Sequence, residues 1–244
     1  MAKMTLATVL ALLGTGVIGG TIQSSCGFGF GVFVMILLPY FMPSYGEATA
    51  VSGLACVVTS FTIVYSMRSY IAWKRLPFPL CAYFITSFFA VRFCASSSSE
   101  LLEKFLGAAL ILLSIYLLVF SKRIHIRPTN RNGAIAGAVG GVMTGLFSMG
   151  GPPVVVYFTS CSEDKNVYLA TIQTYFFISM TYVSAVRAMN GLVNLFVLQA
   201  AAICLAGAIC GHQIGHWVFQ KMDTERLKKL IYGFMAVSGL IQLL

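Results

Sequence analysis

The sequence predicts an all-α polytopic membrane protein of two four-segment repeats in inverted relation, with broken or re-entrant first and fifth segments. Three observations lead there. Of 244 residues, 58% are hydrophobic and 9% charged, where soluble domains carry about 25% charged residues. Residues 4–46, 48–67, 76–91, 105–121, 132–162, 166–186, 188–220 and 230–244 hold no Lys, Arg, Asp or Glu. Several of these windows reach the ~17–25 residues a spanning helix needs. Finally, two glycine-rich interruptions, Gln23-Ser-Ser-Cys-Gly-Phe-Gly-Phe-Gly31 and Phe147-Ser-Met-Gly-Gly-Pro-Pro153, cut apolar runs at matching places in the two halves. The runs are continuously apolar rather than alternating, which argues against a β-barrel.

As a single helix, residues 4–46 would extend about 65 Å at ~1.5 Å per residue, against a hydrocarbon layer of roughly 30 Å. The run must break and turn, and the glycine cluster is the place. Span one is therefore expected over 5–22, with a break at 23–30 and a resumption over 31–41 closed by Pro43 and Gly46. Lys3 and the approach to Cys26 have the look of a cleaved lipoprotein signal. The apolar run continues well past Cys26 and is echoed later, so the segment is read as part of the bundle. Span two covers 46–66 and precedes a basic loop with Arg68, Lys74 and Arg75; Pro77 and Pro79 open span three, 77–94. The polar turn 95–100 leads to span four, 101–121. Lys122, Arg123, His125, Arg127 and Arg131 make a basic midpoint. Span five starts at Gly133, breaks near 148–153 and resumes to 160; spans six, seven and eight cover 166–188, 192–217 and 230–244.

Shifting by 121 places Gly19-Gly20 on Gly140-Gly141 and Gly29 on Gly150; shifting by 122 places Ala48-Thr49 on Ala170-Thr171. The nearly constant offset divides one membrane domain into a first repeat (1–121), a basic linker (122–131) and a second repeat (132–244). Orientation follows from Lys and Arg, which favour the cytoplasmic side. If both broken segments are hairpins, each repeat crosses three times, the repeats are inverted, and twelve of the sixteen Lys/Arg fall inside. If both thread straight through, the repeats are parallel and nine fall inside. The inverted arrangement is preferred.

Net charge is +9, but the basic residues flank apolar runs, where they meet anionic headgroups; no nucleic-acid role is read from them. The partners expected are the lipid bilayer and a small anionic substrate, and a homo-oligomer is compatible with the sequence. The seven cysteines lie mostly inside apolar runs and read as small buried hydrophobes. No metal-ligand spacing and no Walker motif occurs, so no cofactor is expected. All seven acidic residues lie near span ends, so the buried carboxylate chain of many proton pumps is missing.

A glycine or proline break can simply kink a packed helix. Two, placed symmetrically, are the best sequence pointer to a transport site at the bilayer midplane, because non-helical backbone there is tolerated only against protein or a watery cavity. The second half-helices would begin near Gly31 and Pro152, and their unpaired N–H groups and positive dipole ends make an anion seat. Gln23, Ser24, Ser25, Thr144 and Ser148 could add neutral donors, as could Thr49, Ser52, Thr171 and Gln173 on the following spans. Gly27, Gly29, Gly31, Gly150 and Gly151 allow close backbone approach. The ladders Gly133-Gly137-Gly141-Gly145 and Gly207-Gly211-Gly215 are read as helix-packing stripes. His212 and His216 could relay a proton. Arg92 and Arg187, near span ends, could attract anions and are read first as snorkelling anchors. Cys26 could contact a sulfur substrate and is read first as filler. An intramembrane serine hydrolase using Ser148 and His212 lacks the G-x-S-x-G elbow.

With Gly27-Phe-Gly-Phe-Gly31, Gly150-Gly-Pro-Pro153, Ala48-Thr49 and Ala170-Thr171 in view, the chain resembles the sulfite exporter TauE/SafE family, also called the toluene sulfonate uptake permease family. The resemblance covers essentially the whole chain. It implies a bacterial-type, multi-pass inner-membrane secondary transporter of small sulfur-containing or carboxylate anions such as sulfite, sulfoacetate or sulfonates, working as an exporter. An anion channel or an importer of small organic anions is the alternative. Phe28 and Phe30 interrupt the family's fuller glycine run, which narrows or re-specifies the site.

Overall fold

The computed structural model describes residues 4–26, 29–120, 127–162, 164–221 and 239–241. Their order is α1 (Leu6–Cys26), α2 (Phe30–Leu37), α3 (Tyr45–Ser66), α4 (Pro77–Ser96), α5 (Ser99–Phe120), α6 (Asn130–Phe147), α7 (Gly151–Thr159), α8 (Lys165–Met189) and α9 (Leu195–Lys221). Single 3-10 turns lie at Leu38–Tyr40, Arg68–Tyr70 and Trp73–Arg75, and no strand occurs among the described residues. Five helices are long and apolar enough to cross a membrane. Gly27, residues 122–126 of the linker and nearly all of span eight lie outside the described residues.

Helix starts follow their capping residues. The Ser44 hydroxyl accepts the Glu47 N–H at 3.2 Å, Thr129 accepts that of Asn132 at 3.2 Å, and the Asp164 carboxylate accepts that of Asn166 at 2.7 Å. Each satisfies an N–H that has no helical partner. Pro77 opens α4, where its missing N–H costs nothing. The expected break at 23–30 is narrower in the structure, because Gln23 to Cys26 continue α1. The second break is Ser148, Met149 and Gly150, with α7 resuming at Gly151.

Two helix pairs dominate the packing, α1 with α9 and α4 with α6. Both are zipped by glycine. A Cβ at Gly137 would strike the Pro79 carbonyl, at Gly141 the Thr86 hydroxyl, and at Gly145 the Ala90 Cβ at 2.5 Å. On the other pair, Gly16 and Gly20 face Cys204 and Ala208, while Gly207 and Gly211 face Leu13 and Val17. Contacts advance together along both helices of each pair, so each pair is parallel. The glycine ladders thus let backbones approach in the way membrane helices require. Thr86 adds a hydrogen bond to the Ala138 carbonyl at 2.9 Å, and Thr21 adds one to Gly211 at 3.0 Å.

Between the pairs, α3 and α8 run antiparallel: Gly53 lies beside Ser184 and Arg187, and Phe61 meets Phe177 with ring centroids 5.5 Å apart. The short helices fold back. Val34 of α2 stands 2.6 Å from where a Gly19 Cβ would be, and Val154 of α7 stands 2.8 Å from that of Gly140. Residues fifteen and fourteen apart could not meet along one continuous helix, where ~1.5 Å per residue would separate them by about 20 Å. The outer surface carries Leu10, Ile85, Phe89, Leu112 and other exposed large apolar side chains, as a lipid-facing surface should.

Candidate anion site where the two breaks meet

Each break is held by a residue in left-handed backbone. Gly29, the N-cap of α2, has φ 105°, a conformation natural only to glycine. The nearest atom to a Cβ there is Ile22 Cγ2 at 3.8 Å, so conformation rather than space demands the glycine. Ser148 ends α6 at φ 57°, ψ 23°, uncommon for a residue with a side chain. Its N–H donates to Thr144 O at 2.9 Å, and that of Met149 donates to Met143 O at 3.3 Å, closing the helix as a C-terminal cap. Gly150 is wedged against the Thr144 hydroxyl and the Gly140 carbonyl, and α7 follows from Gly151 with Pro152 and Pro153 in its first turn.

The two breaks touch: a Cβ on Gly31 would run into the Ser148 carbonyl. Beside that contact is a cavity of about 40 Å³ lined by Gln23, Gly29, Gly31, Ser148, Gly151 and Pro152. Cys56 and Ser60 of α3 and Phe176 and Met180 of α8 close it, so it lies halfway along both long helices. In α2 the first helical bond to Gly29 comes from Phe33 N–H, so the N–H groups of Phe30, Gly31 and Val32 precede the ladder. In α7 the two prolines carry no N–H, which leaves Gly151 as the early donor.

Arg187 is where the structure departs most from expectation. It is fully buried and does not snorkel. Its Nη1 donates to Thr49 O at 2.8 Å and to Ser148 Oγ at 3.1 Å, and its Nη2 donates to Thr144 O at 2.8 Å. Ser148 Oγ in turn donates to Thr49 O at 3.0 Å. The room comes from Gly53, whose missing Cβ would lie 2.7 Å from Nη1. The sequence held one clue, a lone cation inside the limits of span six, outweighed by its nearness to the span end. Arg92 does lie exposed, 5.6 Å over the Phe88 ring.

The other expected residues divide clearly. Thr49 and Thr144 are buried but spend their hydroxyls on Gly46 O at 2.7 Å and Gly140 O at 2.8 Å; they offer Arg187 their carbonyls instead. The Thr171 hydroxyl accepts the Ala72 N–H at 2.9 Å and pins the loop after α3. Gln173 is buried with its Oε1 unpartnered. None of these four lines the cavity, nor does Gly150. His212 is exposed on α9. The side chains of Ser24, Ser25, Cys26 and His216 lie outside the described residues. Among the described residues no three His, Cys, Asp or Glu cluster as metal ligands would.

Two broken segments that meet beside a small cavity halfway through a multi-pass helical membrane protein make the arrangement in which transport sites are commonly built. This chain belongs to the sulfite exporter TauE/SafE family, whose model matches residues 12–241. A curated relative described as a probable sulfite/organosulfonate exporter TauE, from Cupriavidus necator, is 20% identical over 233 residues, covering 94% of this chain and 90% of that protein. No solved structure matches the chain. At the family level the chain is a transporter and not an enzyme.

Proposed function

We propose that this chain is a secondary transporter that exports small sulfur-containing anions, such as sulfite, sulfoacetate or a related organosulfonate, across a bacterial-type inner membrane. The observation that carries the reading is the cavity at the junction of the two breaks, lined by Gln23, Gly29, Gly31, Ser148, Gly151 and Pro152. The anion rests on the N–H groups that open α2 and on that of Gly151, where each half-helix presents its positive end. Phe30 and Phe176 in the same wall keep the seat small, which favours compact oxyanions over bulky ones.

In this reading, 1–121 and 132–244 are inverted repeats joined by the basic 122–131 linker, and each first segment is a re-entrant hairpin. Support comes from α3 and α8, equivalent under the internal repeat yet packed antiparallel. Further support is the gathering of basic loops at one end, where Arg75 Nη1 donates to Pro128 O at 3.1 Å. The opposite end joins Asn194 to Glu47 at 2.6 Å and the Tyr45 N–H to Ser99 at 3.3 Å. A negative interior pushes each unit of negative charge outward by about 2.3 kcal/mol per 100 mV, so export needs gating but no coupling ion. Efflux of labelled sulfite and sulfoacetate from liposomes at clamped potential tests the proposal. Saturable flux accelerated by anion on the far side is expected; ohmic single-channel currents, or no flux of either anion, would overturn it.

A further inference from the structure

Arg187 does more in this fold than hold an end of α8. Its guanidinium reaches three backbone or side-chain oxygens on two elements: Thr49 of α3, and Thr144 and Ser148 at the end of α6. These bonds tie the second break to the helix that follows the first. Yet all three acceptors are neutral. The one ion pair between side chains among the described residues is Lys104–Glu100, on the surface, so no described carboxylate answers the Arg187 charge. A buried cation without a counter-ion is costly, and carbonyl dipoles offset only part of that cost. Hydrogen-bonding capacity is also left over beside it. Arg187 Nε, Ser184 Oγ and Ser52 Oγ are buried without partners, and Arg187 Nη1 and Ser184 Oγ lie 2.7 and 3.4 Å from where a Gly53 Cβ would stand. Ser52 Oγ lies 3.6 Å from where a Gly31 Cβ would stand, so this unspent polarity adjoins the place where the breaks meet.

We propose that Arg187 is the specificity-determining charge of the transport site: a fixed guanidinium, one side chain removed from the cavity through Ser148, whose missing counter-ion is the transported anion. Arg187 does not line the cavity; it acts through the Ser148 hydroxyl and through space. The anion entering beside Ser148 neutralises the centre, while a neutral molecule of the same shape leaves it uncompensated. Selection by charge then precedes selection by shape. Arginine suits this role because it stays ionised and its planar fork can hold the break while its field reaches the cavity. Lysine would keep the charge but lose the fork.

This inference rests on the transporter reading, and the test separates the two. Methanesulfonate and methanesulfonamide have nearly the same shape and differ in charge. Detergent-purified wild-type protein is titrated with each, and liposome flux of methanesulfonate is measured for wild type, Arg187→Gln and Arg187→Lys. Wild type should bind the sulfonate on the order of a hundredfold more tightly than the sulfonamide. Arg187→Gln, checked as folded by its melting profile, should raise KM by a similar factor and lose the discrimination, and Arg187→Lys should recover a large part of it. Equal binding of the two compounds by wild type would overturn the inference even if no variant folds. Folded Arg187→Gln with wild-type KM and discrimination would overturn it too, while leaving the transporter reading intact. No flux of any sulfonate or sulfite in wild type would instead remove the transporter reading.

Discussion

Replacing Gly31 by alanine probes the junction of the two breaks with one methyl group. The new Cβ would point at the Ser148 carbonyl, with the carbonyl carbon 3.2 Å away. The obstacle is backbone held by α6 capping bonds and by Arg187, not the end of a flexible side chain. Relief therefore requires the two breaks to part by about an ångström to regain van der Waals separation. Overpacking of this kind costs ~1–3 kcal/mol, and a misplacement of ~1 Å in a substrate-positioning element can lower turnover ~10²-fold. Gly31→Ala should remain in the membrane with a lowered melting temperature, and sulfoacetate efflux from liposomes should fall by about one to two orders of magnitude. Gly14→Ala is the control, since nothing lies within 4 Å of its Cβ position on the exposed side of α1; there alanine should be neutral or slightly stabilising. Wild-type efflux and wild-type KM in Gly31→Ala would refute the contact as part of the site.

Gly29→Ala forces a side chain into left-handed backbone with space around it, so it should cost ~1–2 kcal/mol and impair transport less than Gly31→Ala, as read by melting and efflux together. Ser148→Ala removes a donor to Thr49 O and an acceptor for Arg187; it should lose ~1–3 kcal/mol, whereas Ser148→Gly should recover part of this by easing φ, a ranking that thermal unfolding checks. Gly137→Leu should prevent α4 and α6 from docking, because its side chain meets the Pro79 backbone, and size-exclusion chromatography in detergent should show little folded protein. His212→Ala, on the exposed face of α9, should leave the pH profile of efflux unchanged.

Much of this architecture is legible from residue order. The limits 46–66, 77–94 and 166–188 fall within two residues of α3, α4 and α8, because Ser44, Pro77 and Asp164 mark the starts and the charges flank the runs. Both breaks are visible as glycine and proline inside apolar stretches. Local pattern says less about how far helix continues into a break: Gln23 to Cys26 stay helical since nothing before glycine forbids the i to i−4 bond. It says nothing about partners. That α1 zips to α9 and α6 to α4 depends on surfaces nearly two hundred and about fifty residues apart in sequence. The burial of Arg187 was hidden for the same reason, since the space for it comes from Gly53 on another helix.

The most direct test of the junction as an anion seat uses Cys56, a native thiol in the cavity wall. With the other six cysteines replaced by alanine, a small thiol reagent should label Cys56 slowly through the cavity. Saturating sulfoacetate should slow that labelling in wild-type background and fail to do so when Gly31 is alanine. A labelling rate indifferent to sulfoacetate, in a protein that still transports it, would place the anion elsewhere and contradict the account.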